Sequence, residues 1–189
     1  MNKMNVGAGG RSIDGWVNLD LEQADGTNVV ADLLAPQGLP FADNTFDEML
    51  MSHVLEHLDK PLFIMEELHR VAKPGCTLIV RVPYGSSDNA WEDPTHVRLY
   101  FFRSFTYFEQ PVYSKNDYKY RGDWMTTRIR LSLDKRRFEG VPDSEFSNII
   151  HRERNNVREM EVELQCVKPI RPRLAALATK HTKLEYLMV

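Results

Sequence analysis

Short β-rich runs alternate with turns and one helical stretch through the first 83 residues, and this alternation constrains the fold more than any other feature of the chain. The runs are residues 4–6, 16–21, 29–32, 46–51 and 77–82. Apolar residues at helical spacing predict a helix over 62–71, which Lys73-Pro74-Gly75 ends. Strands that alternate with helical stretches are typical of a layered α/β fold, so we expect a mainly parallel sheet.

The second half of the chain follows a different pattern. Residues 84–125 are rich in aromatic side chains, whereas residues 126–133 and 157–167 alternate between apolar and polar as strands do. Two late alternating strands predict an antiparallel strand pair at the C-terminal edge of the sheet. We expect a loop or short helix over 134–156 and a final helix over 174–187.

Length and composition fit a single globular domain over residues 1–189. Hydrophobic residues are 42% and charged residues 27% of the chain, as in ordinary folded proteins. Two cysteines, Cys76 and Cys166, are too few for a disulfide scaffold or a cysteine-rich zinc site. The sequence has no apolar run of membrane-spanning length and no recognisable signal peptide, so we expect a cytoplasmic protein without a membrane span.

A glycine-rich loop, Gly7-Ala8-Gly9-Gly10, directly follows the first strand. Such a loop lets the backbone approach a ligand closely, although a plain tight turn has the same composition. Ser12 stands where the dinucleotide fingerprint has its third glycine, and too few residues precede Trp16 for a full crossover helix. A nicotinamide-dependent enzyme is therefore a weak interpretation of this loop.

Acidic residues end the next two predicted strands. The Asp20 carboxylate can accept both hydrogen bonds of a ribose diol. Asp32 can accept from an exocyclic amine, and Leu33 can pack on a base. Each acid alone is more often a polar strand terminus, but the carboxyl ends of parallel strands meet at one edge of a sheet. Together with the glycine loop, the two acids predict a ligand site at that edge.

The order and spacing of these segments resemble the class I S-adenosylmethionine-dependent methyltransferases, in particular the small type 11 branch with a shortened first helix. The resemblance covers about residues 4–83 and implies a Rossmann-like class I methyltransferase fold. The matching segments are residues 5–10, 15–20, 31–33, 39–47, 52–57 and 68–76, and residues 93–98 also match a segment of some members. We therefore expect an enzyme that uses S-adenosylmethionine.

The resemblance also implies which residues contact this cofactor. They are Gly7, Ala8, Gly9, Gly10, Asp20, Leu21, Asp32, Leu33, Ser52 and His53. The glycine loop is expected under the methionine part, Asp20 at the ribose hydroxyls and Asp32 beside the adenine. Ser52 and His53 are expected at the methionine end, where the methyl group is transferred. Residues 1–83 then form a cofactor-binding half, 84–125 a substrate-side insertion, and 126–189 the late strands and tail.

His96 is the candidate catalytic base. An imidazole titrates near neutral pH, so it can accept a proton from an oxygen or nitrogen nucleophile. Asp93, three residues earlier, can orient the ring. The alternative is a histidine that only fixes the conformation of its loop.

The segment His53-Val54-Leu55-Glu56-His57 has the form H-x-x-E-H, a zinc-hydrolase pattern. On a helix His53 and His57 would share a face. The same segment belongs to the methyltransferase resemblance, however, and no clear third-ligand segment follows it. We therefore expect no metal, and a zinc hydrolase acting through His53 and His57 is the less favoured alternative.

Charge is unevenly distributed along the chain. Residues 1–60 carry three basic and ten acidic side chains, whereas residues 101–189 carry seventeen basic and twelve acidic ones. Basic residues among aromatic ones can bind an acidic small molecule or single-stranded nucleic acid, or they can form a solvated strand face. A sequence pI near 6.1 disfavours a dedicated nucleic-acid binder.

These observations favour methyl transfer to an oxygen or nitrogen of a small-molecule or sugar-type acceptor. The main alternative is a non-catalytic methyltransferase-like binding protein that needs a partner. A homo-oligomer or a partner chain that closes the cofactor cleft is compatible with either interpretation.

Overall fold

One eight-stranded sheet organises the molecule. The computed structural model describes residues 1–115, 118–179 and 182–189. The strands are β1 (Lys3–Val6), β2 (Val17–Asp20), β3 (Val29–Val30), β4 (Phe46–Ser52), β5 (Ala72–Pro83), β6 (Trp124–Leu133), β7 (Val157–Cys166) and β8 (Lys183–Met188). Their spatial order is β3-β2-β1-β4-β5-β7-β6-β8. Among these strands only β7 runs antiparallel to its neighbours, which confirms the predicted α/β fold with a mainly parallel sheet.

The C-terminal edge differs from the prediction in one element. β6 and β7 form the expected antiparallel pair, but β8 continues the sheet beyond β6 and runs parallel to it. The predicted helix over 174–187 is therefore wrong in its described part, and residues 180 and 181 lie outside that part. The reason is tertiary: without β8, β6 would present an unpaired strand edge, and pairing with it outweighs local helix propensity.

Helices are few and mostly short. They are α1 (Pro61–Val71), α2 (Asn89–Glu92), α3 (Lys135–Phe138) and α4 (Asp143–Arg152), with 3-10 turns at Leu55–His57, Ser104–Phe108, Gln110–Ser114 and Ala175–Leu177. α1 confirms the predicted helix, and α3 and α4 occupy most of the stretch expected to be a loop or short helix. Residues 7–16 form no helix, as the short spacing predicted. No helix of the described part is long and apolar enough to cross a membrane.

The core lies mainly against one face of the sheet, because buried residues alternate with partly exposed ones along β4, β5 and β7. Met4, Val6, Met49 and Met51 of β1 and β4 are fully buried, as are Ile64, Met65 and Leu68 of α1. Much of the aromatic stretch is also core: Phe105, Phe108 and Tyr120 are buried. The indole N–H of Trp124 donates to the Met65 carbonyl at 2.8 Å, which ties β6 to α1. Aromatic packing therefore fixes much of the segment that leads from β5 to β6.

The basic side chains of β6 pair with acids across the sheet. Arg128 lies 2.6 Å from Glu163, and Arg130 lies 3.0 Å from Glu161 and 3.1 Å from Glu185. These pairs join β6 to β7 on one side and to β8 on the other. The solvated strand face is thus the better interpretation of Arg128 and Arg130, because their charges are already neutralised by neighbours within the fold.

Candidate functional site

Two adjoining cavities open at the carboxyl ends of the parallel strands. The smaller cavity has a volume of about 290 Å³ and lies over β1, β2 and β3. The larger cavity has a volume of about 630 Å³ and lies between β4 and the start of β7. His53 and His57 line both cavities, so a ligand in one is adjacent to a ligand in the other.

Seven of the ten predicted cofactor contacts surround the smaller cavity: Gly7, Gly9, Asp20, Leu21, Asp32, Leu33 and His53. The other three do not line it. Ala8 is buried, Gly10 is exposed in the loop, and Ser52 is a half-buried residue of β4 that pairs with Arg81 of β5. The fold therefore brings together segments that are separated by turns in the sequence.

The glycine loop forms one wall of the smaller cavity. Gly7 has a φ of +67°, and a Cβ built on it would lie 2.4 Å from Cγ2 of Val54. Any other residue would therefore be strained in its backbone and would displace the Val54 side chain. The loop is anchored beneath by the Gly7 and Ala8 N–H groups, which both donate to the Leu19 carbonyl at the end of β2.

Asp20 joins the glycine loop to β2. Its Oδ2 accepts the Gly9 N–H at 2.6 Å, and its Oδ1 accepts the Glu22 N–H at 3.3 Å. A carboxylate has about four acceptor positions, so two remain for hydroxyl donors in the cavity. The Gly9 contact means that this carboxylate also holds the loop in place, a role that the sequence did not indicate.

The opposite end of the smaller cavity is apolar. Leu33 is buried, while Leu21 is 64% exposed at the rim. Between them Asp32 is exposed, and its Oδ1 caps the Leu34 N–H at 2.8 Å. Two leucine side chains with a carboxylate beside them suit a flat heteroaromatic group that carries an amine.

His53 separates the two cavities and carries a positive charge. Its ring Nε2 donates to Oε2 of Glu159 at 2.7 Å, and its Nδ1 lies 3.3 Å from Oε1 of Glu56. The hydrogen bond to Glu159, followed by the Glu56 carboxylate, raises the pKa of His53 to about 9. His53 is therefore a cation at neutral pH and does not act as a base. Its φ of +56° is unusual for a residue other than glycine, and such backbone conformations cluster at functional sites.

The predicted base, His96, lies in the larger cavity with its side chain only 8% exposed. The ring Nδ1–H donates to the Ala90 carbonyl at 3.1 Å, so in the neutral ring the lone pair is on Nε2. Asp93 Oδ2 lies 3.8 Å from this Nε2. The Thr95 hydroxyl and amide lower the pKa of Asp93, so it is ionised. The ring is thus oriented by Ala90, a partner that the sequence did not reveal.

Backbone hydrogen bonds hold the turn Leu55–His57 against the segment that carries His96. The Val97 and Arg98 N–H groups both donate to the Glu56 carbonyl, at 2.9 and 3.2 Å. The rings of His57 and His96 consequently meet edge to face with centroids 4.8 Å apart. Glu159, on β7, had no signal in the sequence as a site residue, because only strand pairing brings it to the cavity.

Comparison with known proteins finds a family match for the segment that forms much of the smaller cavity. The model of the type 11 methyltransferase family, described as a methyltransferase domain, matches residues 16–80. This range includes the Asp20, Asp32 and His53 positions of the smaller cavity. A comparison with curated proteins finds no match.

Solved structures share the fold at low sequence identity. A S-adenosylmethionine-dependent methyltransferase from Archaeoglobus fulgidus superposes with a TM-score of 0.62 at 15% identity, over 87% of this chain and 85% of that one. A Bacillus halodurans protein described as a methyltransferase superposes with a TM-score of 0.57 at 13% identity. The match covers 88% of this chain and 93% of that one. A third match is a chain from Haloferax volcanii, in a complex of the Trm112 methyltransferase activator with a methyltransferase. It superposes with a TM-score of 0.50 at 15% identity, over 88% of this chain and 82% of that one. These likenesses show the fold.

Proposed function

Residues 16–80 of this chain belong to the methyltransferase domain of the type 11 family, and from that premise we propose that the protein methylates an oxygen or nitrogen of a small-molecule acceptor held in the larger cavity. The recognition made from the sequence is confirmed: the chain is an enzyme of the S-adenosylmethionine-dependent class. S-adenosylmethionine is accordingly its cofactor. The acceptor and the site residues are the proposed part.

One observation carries the proposal: the two cavities meet at His53 and His57. Methyl transfer requires the donor and acceptor to lie in line and in contact, and holding two reactants in that geometry supplies several kcal/mol of the barrier reduction. A site for each reactant with a shared wall satisfies this requirement. We place the cofactor in the smaller cavity and the acceptor in the larger one.

The residues of the smaller cavity fit the cofactor. Asp20 has acceptor positions for the ribose hydroxyls, and Leu21 and Leu33 offer apolar contact to the adenine. Gly7 packs directly against the Val54 side chain, so the backbone of the glycine loop lines the cavity where we place the methionine part. A volume of about 290 Å³ is at the lower end for ligand pockets, which fits a cofactor that remains partly exposed.

The chemistry requires little covalent participation by the protein. When bound, S-adenosylmethionine supplies an electrophilic methyl group on a sulfonium. The acceptor must lose a proton, and we assign its removal to the Nε2 lone pair of His96. The Ala90 carbonyl keeps that tautomer, and the ionised Asp93 nearby stabilises the resulting imidazolium. His53, already a cation, contributes charge and shape at the boundary between the reactants.

The acceptor side draws on more of the chain than a single insertion. Within one domain, we assign residues 1–83 to the cofactor and 84–125 to the acceptor, as the sequence suggested. Residues of the late strands join them, because Ser132, Arg158 and Glu159 also line the larger cavity. The mixture of Arg158 with carboxylates and histidines suits a polar, hydroxyl-bearing acceptor, such as a sugar-type molecule, better than an apolar one.

A second candidate is a methyltransferase-like protein that binds the cofactor and needs a partner chain to act. What favours it is the bare β1–β3 side of the sheet, where the described residues 7–16 contain no helix to cover the smaller cavity. The Haloferax volcanii structure is itself a complex with an activator. Turnover of labelled cofactor by the isolated chain with a panel of hydroxyl and amine acceptors would argue against this candidate.

Isothermal titration calorimetry with S-adenosylmethionine and S-adenosylhomocysteine tests the cofactor assignment. We expect Asp20→Ala to lose at least about tenfold in affinity for both, because charge-assisted hydrogen bonds to the ribose contribute more than 1 kcal/mol. Asp25→Ala is the matched control, since Asp25 is an exposed acid of the turn that follows β2 and does not line the cavity. Equal binding by Asp20→Ala and Asp25→Ala would refute the ribose role of Asp20.

His96→Gln tests the base assignment once an acceptor is found. We expect cofactor affinity to stay within twofold of the wild type while the methylation rate constant falls by about 10²–10⁴, the usual contribution of a general base. An unchanged rate constant would leave His96 without a catalytic role.

A further inference from the structure

The described part of the chain contains a cluster of three metal-ligating side chains, Glu56, His57 and His96, of which only His96 has a role in the proposed methyl transfer. One ligand atom of each lies within 4.8 Å of the others. We propose that this cluster binds a first-row divalent transition-metal ion at the wall of the larger cavity.

The buried carboxylate of Glu56 is the first argument. Its side chain is only 2% exposed, and neither of its oxygens accepts a hydrogen bond from any described residue. The nearest cationic group, His53 Nδ1, lies 3.3 Å from Oε1 without hydrogen-bond geometry, and His53 gives its short contact to Glu159 instead. A buried carboxylate without donors is costly, so a cation placed among these atoms would compensate it.

The tautomers of the two histidines are the second argument. His96 Nδ1–H donates to the Ala90 carbonyl. The Thr95 hydroxyl donates to Asp93 Oδ1 at 2.6 Å, so it accepts from His57 Nδ1 at 2.9 Å. Both neutral rings therefore keep their lone pair on Nε2. Histidines that bind metal in proteins have the same pattern of hydrogen bonds. One ring nitrogen binds the ion, and the N–H of the other donates to a backbone carbonyl, a carboxylate or water.

Charge and geometry indicate the class of ion. Two imidazoles and one carboxylate are the donor set of Zn²⁺ hydrolases and of non-haem iron sites, and they differ from the all-oxygen sets that Ca²⁺ and Mg²⁺ prefer. Ligands of one ion at about 2.1 Å lie at most about 4.2 Å apart, so binding would draw the three side chains slightly together. The ionised Asp93, 3.8 Å from His96 Nε2, adds a second negative charge at the site.

This inference revises the expectation that the chain lacks a metal site. The H-x-x-E-H pattern suggested His53 and His57 as ligands and offered no third. In the fold, the His53 ring is hydrogen-bonded to Glu159, and His96 supplies the third ligand from another segment. The ion would use the Nε2 lone pair that the ion-free protein offers to a proton. His96 therefore acts as a ligand in the ion-bound protein and as a base only in the ion-free protein.

Metal titration of the chelator-treated full chain tests the proposal without cofactor or acceptor. The probes are Co²⁺, followed by its visible absorption, and Zn²⁺, followed by calorimetry. We expect one ion per chain. We expect Glu56→Gln and His57→Ala each to weaken binding by at least about 100-fold, since losing even an outer-shell partner costs 10–100-fold. His151→Ala, an exposed histidine of α4, is the matched control and should bind as the wild type does.

Three outcomes would overturn the proposal. The first is that the wild type shows no saturable metal binding, and the second is that Glu56→Gln and His57→Ala both bind metal with wild-type affinity. The third is that metal binding is lost when His53 is replaced but kept when His96 is replaced. Thermal unfolding without metal guards against misfolded variants. Glu56→Gln should melt near the wild-type temperature because glutamine has the same shape and the carboxylate oxygens accept no hydrogen bond from a described residue, and His57 is exposed. Failure of metal binding would leave the methyl-transfer proposal intact, because that proposal is tested separately by cofactor binding to Asp20→Ala.

Discussion

The two cavities share a wall but are built by different means. The smaller cavity is shaped by backbone: a glycine loop, its hydrogen bonds to Leu19, and residues that end three neighbouring strands. The larger cavity is shaped by side chains from distant segments, which are held by hydrogen bonds among His53, Glu159, Thr95 and His57. The difference implies that ligand binding in the smaller cavity is lost when a substitution strains the backbone of the glycine loop. Binding in the larger cavity is weakened when a substitution removes a single polar contact.

The strongest way to break the smaller cavity is Gly7→Ala. Its positive φ and the 2.4 Å approach of the new Cβ to Val54 predict a loss of at least about 1–3 kcal/mol in unfolding free energy, together with loss of cofactor binding. Urea unfolding and calorimetry measure the two effects. Gly10→Ala is the control, because its φ is also positive but a Cβ there meets nothing within 4 Å. If both variants lost the same unfolding free energy and cofactor affinity, the contact with Val54 would not explain the effect of Gly7→Ala.

A smaller change should affect the larger cavity alone. Thr95→Val removes the hydroxyl that accepts from His57 and donates to Asp93, so we expect metal affinity to fall about 10–100-fold. Cofactor affinity should not change, and Thr95→Ser should restore most of the metal affinity. Thr106→Val removes a hydroxyl hydrogen bond outside both cavities and serves as the control. An equal loss of cofactor affinity in Thr95→Val would mean that the cavities are not independent.

The smallest expected effect lies away from both cavities and concerns the pH dependence of the unfolding free energy. His69 is buried against Trp124, and burial lowers its pKa below 6.5. The unfolded chain therefore binds the proton first as the pH falls, so this contribution to stability is present above pH 6.5 and decreases below it.

We expect unfolding free energy measured in urea to fall more steeply from pH 7 to pH 5 in the wild type than in His69→Gln. His151→Gln, at an exposed site, should follow the wild type. If the unfolding free energies of the wild type and His69→Gln fell in parallel with pH, His69 would not contribute to the pH dependence of stability.

The same contrast explains what the sequence could predict. The smaller cavity is formed by segments in chain order at strand ends, so Gly7, Asp20 and Asp32 were identifiable by position. The larger cavity depends on the register of β7, which brings Glu159 opposite Pro83. No local pattern contains that register. The Ala90 partner of His96 was missed for a different reason, because it contributes a backbone carbonyl rather than a recognisable side chain.

Local propensity also failed where pairing decided the structure. The tail was expected to be helical, yet Arg130 of β6 pairs with Glu185 of β8 and the backbone completes the sheet. Only the position of β6 at an otherwise open edge makes that outcome favourable.

The missing helices between the first strands have a consequence for the order of folding. Met4 pairs with Val17, only 13 residues later, whereas Leu78 pairs with Leu164, 86 residues later. Closing the longer loop costs about 1.7 kcal/mol more in chain entropy. Strands β1 and β2 can therefore associate while most of the chain is still being synthesised, whereas β7 must wait for nearly all of it. The strands beneath the smaller cavity would then associate before the larger cavity is complete.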